Sequence, residues 1–297
     1  MSDSGSSKYQ GWVRELSTRN EFGRHDRLGT LHHIDAAARL RAAAAVTEGR
    51  PVSLVRALDD EPSCEVQMSI TDVLGDYDRR FGVDEVRLEC HGLFQTHMDA
   101  LTHVSFDGTW YSGWPIGEAN GPSIADWSHG IFTGAVHADI GAARGTAWAE
   151  ANEPVEGADI DAALAAAGTS FRPGDALLLD MGRDRYEASG GELVSQFRAD
   201  RHHMQPGVGV SGAEWIVDNR VSVLAWDFYD AVHPNVPRFC VHPLIWAIGL
   251  VIVDNCTFDR LRSAVGTMSG APRGALVLGP LPIPGGTGSS VNPLVVL

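Results

Sequence analysis

Cysteine is scarce in this 297-residue sequence, and none of the four cysteines is placed for shared chemistry. They lie far apart and form no C-x-x-C pair, which excludes a zinc ribbon and a thioredoxin-like redox motif. Because cysteine is among the most buried residue types, we expect free, buried thiols. The residues concerned are Cys64, Cys90, Cys240 and Cys256.

Positive charge and long hydrophobic runs are also lacking. The 23 Lys and Arg residues are outnumbered by 38 Asp and Glu residues, which gives a net charge of −15. A chain of this charge repels nucleic-acid phosphate and anionic lipid, and no basic cluster reverses the repulsion. No apolar stretch approaches the roughly 20 residues of a membrane helix, and the N-terminus has no signal-peptide core. We therefore expect a cytoplasmic protein with a small-molecule substrate and with neither nucleic acid nor membrane as a partner.

The residues that are present have the composition of an ordinary globular protein, 44% hydrophobic and 21% charged. The length suits one large domain. We therefore assign residues 1–297 to a single domain, with a polar, Gly-rich N-terminal extension over residues 1–30.

Hydrophobic periodicity predicts helices that alternate with strands covered on both faces. The predicted helices are Asp35–Glu48, Ile160–Ala167, Ser211–Asn219 and Pro243–Ile248. The predicted strands are Val52–Ala57, Val86–Cys90, Ile131–Ile140, Ala176–Met181, Val221–Trp226 and Leu250–Val253. The mixture has no internal repeat and indicates an α/β or α+β fold. We expect the Pro- and Gly-rich stretch Gly279–Gly288 to be a connecting segment.

A glycine-rich segment imitates a dinucleotide-binding motif. Gly207, Gly209 and Gly212 fit G-x-G-x-x-G, but a charged segment ending in proline precedes them, where a phosphate-binding turn needs a buried strand. Ser211 followed by Glu214 fits a capping box. We therefore interpret the glycines as shaping the start of a helix.

The clearest chemical signal is the segment 91–103, which reads HGLFQTHMDALTH. In an extended strand, side chains of equal parity point to one face, and four polar side chains share that parity. They are His91, His97, Asp99 and His103. A solvated strand edge is one explanation, but the apolar neighbours indicate burial, which costs several kcal/mol for unpartnered imidazole and carboxylate groups. A metal ion is a common partner that removes this cost.

Imidazole and carboxylate groups are the ligands of catalytic zinc, manganese and iron sites, and a further ligand usually comes from elsewhere in the chain. His242 opens an apolar, helix-like run. Asp254 ends the apolar stretch that begins at Leu250, so it either has a strong partner or caps the turn that follows. Both residues are candidate additional ligands.

The segment Gln95–His103 resembles the second half of the motif H-x-G-T-H-x-D-x-P-x-H of the cyclase family that includes bacterial kynurenine formamidase and isatin hydrolase. The separation of twelve between His242 and Asp254 is also similar to this family, and the similarity extends over about residues 20–265. It implies a mixed α/β fold in which the sheet forms a β-barrel-like core with surrounding helices. It also implies a homodimer or a higher homo-oligomer.

The resemblance implies that His97, Asp99, His242 and Asp254 hold one divalent metal ion, zinc or manganese, and that His103 is the catalytic base. Asp254 replaces the glutamate of the family and is shorter by one methylene, so it is either a direct ligand or a water-mediated one. Leu93 stands at the position of the family's first histidine, and we therefore predict one metal ion, not two. We expect four aromatic residues and one histidine to line the substrate pocket: Phe106, Trp110, Tyr111, Trp114 and His91.

The implied reaction is hydrolysis of a carbonyl C–N or C–O bond, in an amide, lactam or lactone of a ring-bearing small molecule. A metal-activated water would attack the carbonyl while His103 moves the proton. Two alternatives stay open. In the first, the protein is a cyclase or dehydratase in which the metal acts only as a Lewis acid. In the second, it is a metal-stabilised binding protein without turnover.

Overall fold

The computed structural model describes residues 3–58, 64–72, 80–195, 203–268 and 271–297. Its strands are β1 (Pro51–Ser53), β2 (Cys64–Asp72), β3 (Arg80–Leu88), β4 (His97–Asp99), β5 (Ile131–Asp139), β6 (Ala176–Asp180), β7 (Gly207–Val208), β8 (Val223–Trp226), β9 (Tyr229–Asp230), β10 (Val251–Asp254), β11 (Arg273–Leu278), β12 (Gly288–Ser290) and β13 (Leu294–Val296). Nine of them form one mixed sheet in the order β1-β13-β11-β5-β6-β8-β10-β4-β12, which curls into a half-barrel.

The middle of the sheet is parallel, and its two sides are antiparallel. β5, β6, β8 and β10 pair in parallel with one another. All five residues of β6 are buried, as expected of a strand with both faces covered. The outer pairs, including β4 with β10 and β4 with β12, are antiparallel. The predicted mixed α/β fold with a barrel-like sheet is confirmed.

Helices pack against this sheet and against one another. They are α1 (Asp3–Ser17), α2 (Ala36–Ala45), α3 (Ile140–Arg144), α4 (Gly157–Ala166), α5 (Arg183–Ala188), α6 (Val210–Asp218), α7 (Pro243–Ile248) and α8 (Asp259–Val265), with short 3-10 turns at Gly29–His33, Tyr111–Gly113 and Ile124–Trp127. α2 packs on β5, α4 on α6, and α1 on α7. No helix in the described ranges is both long enough and apolar enough to cross a bilayer.

The strongly periodic elements lie where the sequence predicts them. α7 coincides with the predicted helix, and α2, α4 and α6 differ only at their ends. The polar, Gly-rich N-terminal extension, for which no helix was predicted, contains α1. Strand β3 is longer than the predicted Val86–Cys90, and it pairs with the unpredicted β2 in a separate hairpin.

The glycine-rich segment shapes the start of α6, but the predicted capping box is wrong. Ser211 lies inside the helix, whose N-cap is Gly209. Its hydroxyl donates to Glu156 Oε2 at 2.6 Å, and the backbone N–H of Ser211 donates to the same oxygen at 2.8 Å. A Cβ on Gly209 would lie 2.1 Å from Glu156 Oε1, which explains the glycine. A carboxylate of the chain itself therefore occupies the position where a phosphate would bind.

The cysteines form no disulfide within the described residues. All four are free thiols, three of them buried, and Cys90 is partly exposed. The prediction of free thiols is therefore confirmed, while the prediction of full burial is wrong for Cys90.

Candidate metal centre and its pocket

Sheet pairing joins the histidine cluster to the distant aspartate. β4 carries His97 and Asp99, and it lies antiparallel to β10 with His97 directly opposite Asp254. Directly opposite residues of an antiparallel pair share a face and lie close together. Asp99, two residues from His97, points to the same face. Three of the predicted ligands therefore meet because two short strands pair in this register.

The ligand atoms of four predicted residues converge at this point. His97 Nε2 lies 3.7 Å from Asp99 Oδ1 and 3.5 Å from Asp254 Oδ2. His242, which directly precedes α7, places its Nε2 3.4 Å from Asp254 Oδ2. Asp99, His242 and Asp254 also form a group whose ligand atoms all lie within 4.8 Å of one another. The fold thus brings together residues from three separate parts of the chain.

Hydrogen bonds on the outer side of the cluster orient these ligand atoms inward. His97 Nδ1 donates to the carbonyl oxygen of Gln95 at 2.9 Å, so its Nε2 carries the lone pair. His242 Nδ1 donates to Asp230 Oδ2 at 2.5 Å, which likewise leaves Nε2 facing the cluster. Trp226 Nε1 donates to Asp254 Oδ1 and leaves Oδ2 for the centre. Partners of this kind fix the tautomer and orientation of metal ligands.

The residues present fit a divalent metal ion. Among the described residues, Asp99 Oδ2 is a buried carboxylate oxygen without a hydrogen-bond partner. Leaving such an atom unpaired in the interior is costly, and a cation would remove the cost. Ligand atoms about 2.0–2.2 Å from a tetrahedral zinc ion are roughly 3.3–3.6 Å apart. The distances of 3.4 Å, 3.5 Å and 3.7 Å lie at or near this range.

The cluster shifts the pKa values of its members in different directions. Burial alone would raise the pKa of Asp99, but the neighbouring imidazoles, foremost His103, hold it well below its usual range. Burial opposes protonation of His242, yet Asp230 and Asp254 raise its pKa well above the usual value. Burial lowers the pKa of His103, and the carboxylates only partly offset this. The carboxylates around His242 therefore attract positive charge, as they would attract a cation, while burial favours the neutral form of His103.

The prediction that residues 91–103 form one extended strand is wrong. Only His97–Asp99 is a strand, residues 91–95 form bends, and a turn follows at 101–102. The two outer histidines nevertheless reach the centre. The rings of His91 and His103 are stacked, with their centroids 4.2 Å apart. His91 Nδ1 lies 3.1 Å and His103 Nδ1 3.8 Å from Asp99 Oδ1. Bends, and not strand parity, bring these side chains together.

Sequence reasoning missed Asp230, which holds His242. It is fully buried, and its Oδ1 accepts hydrogen bonds from the backbone N–H groups of Cys240, at 2.6 Å, and Val241. One signal was available: an aspartate within the apolar and aromatic run 226–232 is as conspicuous as Asp254 at the end of its apolar stretch. Such a carboxylate needs partners.

A second missed group clamps the bends before β4. Asn255 Nδ2 donates to the carbonyl oxygens of Gly92, at 2.6 Å, and Gln95, at 2.8 Å. The buried Arg183 donates to the carbonyl oxygen of Leu93 at 2.6 Å and to Asn255 Oδ1 at 2.6 Å. Arginine offers five donors in a fixed geometry, which suits an acceptor-rich loop. These contacts join distant segments, so no local pattern reveals them.

The centre opens into a cavity of about 610 Å³, a usual size for a small-molecule site. His97, His103, His242 and Asp254 line it. The remaining wall is mostly apolar and aromatic and includes Leu93, Val104, Phe106, Tyr229 and Phe239. Two of the residues expected in the pocket, His91 and Phe106, are in its wall.

Trp110, Tyr111 and Trp114 do not belong to the described wall of the cavity, and their expected role in the pocket is corrected accordingly. Tyr111 is fully buried, and its hydroxyl bonds to Asn20 Oδ1 at 3.0 Å. Trp114 Nε1 donates to the carbonyl oxygen of Asp26 at 3.1 Å. Trp110 packs beside Gly121. The rings of Tyr111 and Trp114 attach the segment around residues 20–26 to the body of the protein.

A family model described as "Putative cyclase" matches residues 25–231 of the chain. No curated protein matches the chain in a sequence comparison.

Several solved structures share the fold. A structure described as a novel cyclase is 24% identical, with a TM-score of 0.79, covering 93% of this chain and 96% of its own. An isatin hydrolase bound to the product analogue thioisatinate is 16% identical, with a TM-score of 0.56, covering 89% of this chain and 99% of its own. Isatin hydrolase A from Labrenzia aggregata, bound to benzyl benzoate, is 17% identical, with a TM-score of 0.56, covering 88% and 98%.

Proposed function

The chain belongs to the cyclase family, and on that basis we propose that it is an enzyme that hydrolyses a carbonyl C–N or C–O bond with one divalent metal ion, zinc or manganese. The observation that carries the proposal is the convergence of four ligand side chains in the wall of a largely apolar cavity. They are His97, Asp99, His242 and Asp254, whose ligand atoms are connected by the distances of 3.7 Å, 3.5 Å and 3.4 Å given above. Imidazole with carboxylate is a ligand set of hydrolytic zinc centres, and with four protein ligands a fifth position would be open to water or to the carbonyl.

These four residues would hold the ion, with Asp254 as a direct ligand because its Oδ2 faces both His97 and His242. When bound, a divalent ion supplies Lewis acidity, which polarises a scissile carbonyl and lowers the pKa of water. The chain's own contribution is orientation. Gln95, Asp230 and Trp226 fix the ligand atoms before any ion arrives, so little rearrangement opposes binding.

His103 is placed to move the proton. Its side chain is 28% exposed and lines the cavity, whereas His97 is 2% exposed. Burial keeps its pKa low, so the neutral ring accepts a proton from an attacking water and returns it to the leaving group. The stacked ring of His91 fixes the ring plane of His103.

We propose that the centre holds one ion. His91, His97 and Asp99 form a second group of ligand atoms within 4.8 Å of one another. However, His97 has only Nε2 to offer, since Nδ1 donates to Gln95, and one imidazole nitrogen binds one ion. If His97 binds the proposed ion together with Asp99, His242 and Asp254, only His91 and the shared Asp99 remain for a second position. We therefore propose a single ion, and metal titration distinguishes it from one ion in each group.

The wall of the cavity favours a ring-bearing amide, lactam or lactone. Phe106, Tyr229 and Phe239 offer aromatic surface on which a planar ring packs well. The histidines and Asp254 occupy the polar part of the same wall. A substrate with a carbonyl attached to an apolar ring matches both parts.

The test combines metal analysis with turnover. Purified protein is titrated with zinc or manganese and assayed on N-formyl arylamines, lactams and lactones, with products identified by mass. We expect one tight equivalent per chain and a product heavier than its substrate by one water. His97→Ala, Asp99→Ala and His242→Ala should each lose metal and activity together, because loss of a ligand removes charge and geometry.

Asp218→Ala is the matched control, since this aspartate is exposed and forms a surface ion pair with Arg19. It should retain metal and activity. Full metal occupancy in all three ligand variants would contradict the proposed centre. Two tight equivalents, both needed for turnover, would contradict the single ion, and a product lighter by one water would replace hydrolysis by dehydration.

A further inference from the structure

The N-terminal helix α1 has an apolar face that the proposed function does not use. Its apolar side chains recur every three or four residues, at Tyr9, Trp12, Val13 and Leu16. Residues with this spacing lie on one side of a helix. Val13 and Leu16 are buried, so this side faces the protein. Tyr9, one turn before Val13, is therefore directed inward as well.

Polar contacts fix α1 beside the cavity. Trp12 Nε1 donates to Glu214 Oε1 at 3.0 Å. The Arg14 guanidinium forms two hydrogen bonds to Asp107, of 2.7 Å and 2.8 Å, and lies 5.5 Å from the ring centre of Phe106. Phe106 belongs to the cavity wall, and α1 also packs on α7, which begins directly after His242. The helix thus contacts both Phe106 in the cavity wall and the helix that follows His242.

Tyr9 completes the wall of the cavity. Its side chain lines the same space as His103, His242 and Phe239. Burial raises the pKa of its phenol, with a further contribution from Asp230, so the hydroxyl stays protonated at neutral pH and is available as a donor. A phenol offers a planar apolar ring together with one hydrogen-bonding group.

We propose that Tyr9 is a substrate-contacting residue: its ring packs on the ring of the substrate, and its hydroxyl donates a hydrogen bond to a substrate oxygen. The inference rests on the proposed function, because it concerns the substrate of that same centre. It assigns part of the specificity for oxygen-bearing ring compounds to the N-terminal helix, outside the segments that supply the metal ligands.

The first test compares Tyr9→Phe and Tyr9→Ala with the wild type, on the best substrate of the N-formyl, lactam and lactone panel. Loss of one hydrogen bond in Tyr9→Phe should raise KM about five-fold, and loss of the ring in Tyr9→Ala should raise KM roughly ten-fold or more. Bound metal and kcat should stay close to wild type, because no metal ligand is touched. Gln10→Ala, exposed on the same helix, is the control and should leave KM unchanged. A wild-type KM in Tyr9→Ala would overturn the proposal.

The second test needs no turnover, so it separates this inference from the proposed function. Diethyl pyrocarbonate labels accessible histidines, and peptide mass spectrometry gives the rate at His103 relative to the exposed His129. Tyr9→Ala should be labelled at His103 several-fold faster than the wild type, and Gln10→Ala at the wild-type rate. Equal His103 rates in Tyr9→Ala and wild type would show that Tyr9 does not close the cavity, whatever the enzyme does. If the panel yields no product while Tyr9→Ala exposes His103, the hydrolase assignment fails and the place of Tyr9 in the ligand cavity stands.

Discussion

Replacing Asp230 by Asn should weaken metal binding, although Asp230 is not itself a proposed ligand. Its carboxylate accepts hydrogen bonds on both oxygens, on Oδ2 from His242 Nδ1 and on Oδ1 from the backbone N–H groups of Cys240 and Val241. An Asn side chain has only one acceptor atom, and its NH₂ group would face a donor. The variant must therefore give up either the contact that orients His242 or both backbone contacts.

The magnitude follows from the contacts that are lost. Removing an outer partner of a metal-binding histidine typically costs 10–100-fold in affinity. At about 1.4 kcal/mol per ten-fold, the loss in binding free energy is about 1.4–2.8 kcal/mol. If the backbone pair is left unsatisfied instead, each buried N–H group costs about 1–3 kcal/mol of folding stability. Weaker metal binding and a lower free energy of unfolding are therefore both expected.

Competition with a chelator of known affinity measures zinc binding, and urea unfolding of the metal-free protein measures stability. Asp218→Asn, an exposed position, is the control for the loss of one carboxylate. We expect Asp230→Asn to lose at least ten-fold in zinc affinity while the control stays within two-fold. An unchanged zinc affinity in Asp230→Asn would refute the argument that Asp230 orients His242.

Two further predictions concern His103, the proposed base, and Asp180, a buried carboxylate. His103→Ala should keep its metal and lose on the order of 10²–10⁴ in kcat, the usual contribution of a positioned base; proportional loss of metal and activity would instead make His103 a ligand. Asp180 is buried, which alone would raise its pKa, but His137 and Arg262 lower it. A depressed folded-state pKa stabilises the protein above the unfolded value of about 4, and this contribution is lost as the pH falls through the folded-state pKa. Urea unfolding at pH 3 and pH 6 should therefore show a smaller acid-induced loss of stability in Asp180→Asn than in wild type, and equal losses would contradict this role of Asp180.

The residue pattern predicts the helices and strands whose hydrophobic periodicity is strong. It fails where contacts between distant segments determine the local structure. The apolar runs of β5, β6 and β8 identify buried strands because nothing else suits such stretches. α1 was missed although Tyr9, Trp12, Val13 and Leu16 have helical spacing, because Gly, Ser and Asp dominate its first turn. The C-terminal β12 and β13 are three residues long, too short to show a period.

The candidate site was predictable where metal-ligating side chains lie close together in the sequence or stand out among apolar residues. The spacing of His97, Asp99 and His103 identifies them as candidates. His242 and Asp254 are identified because an imidazole or a carboxylate is unusual among apolar neighbours. Their mutual geometry depends on the pairing of β4 with β10, which is fixed by the whole sheet. The pocket aromatics were a weaker inference, because adjacency in sequence does not decide which side of a turn a ring occupies. Among the four aromatic residues expected there, only Phe106 is in the described wall.

Leu93 links the proposal of a single metal ion to the hydrogen bonds that hold the bends before β4. A histidine at this position would tie the loop to a second ion, whereas Leu93 offers only an apolar side chain. Hydrogen bonds from the protein hold the backbone of this loop instead. Arg183 donates to the carbonyl oxygen of Leu93, and Asn255 donates to those of Gly92 and Gln95. Asn255 has a φ of 57°, a left-handed conformation that asparagine tolerates better than most residues. Because these contacts do not involve the metal, the side chain of Leu93 is free to serve as pocket wall, and the loop is shaped before an ion binds.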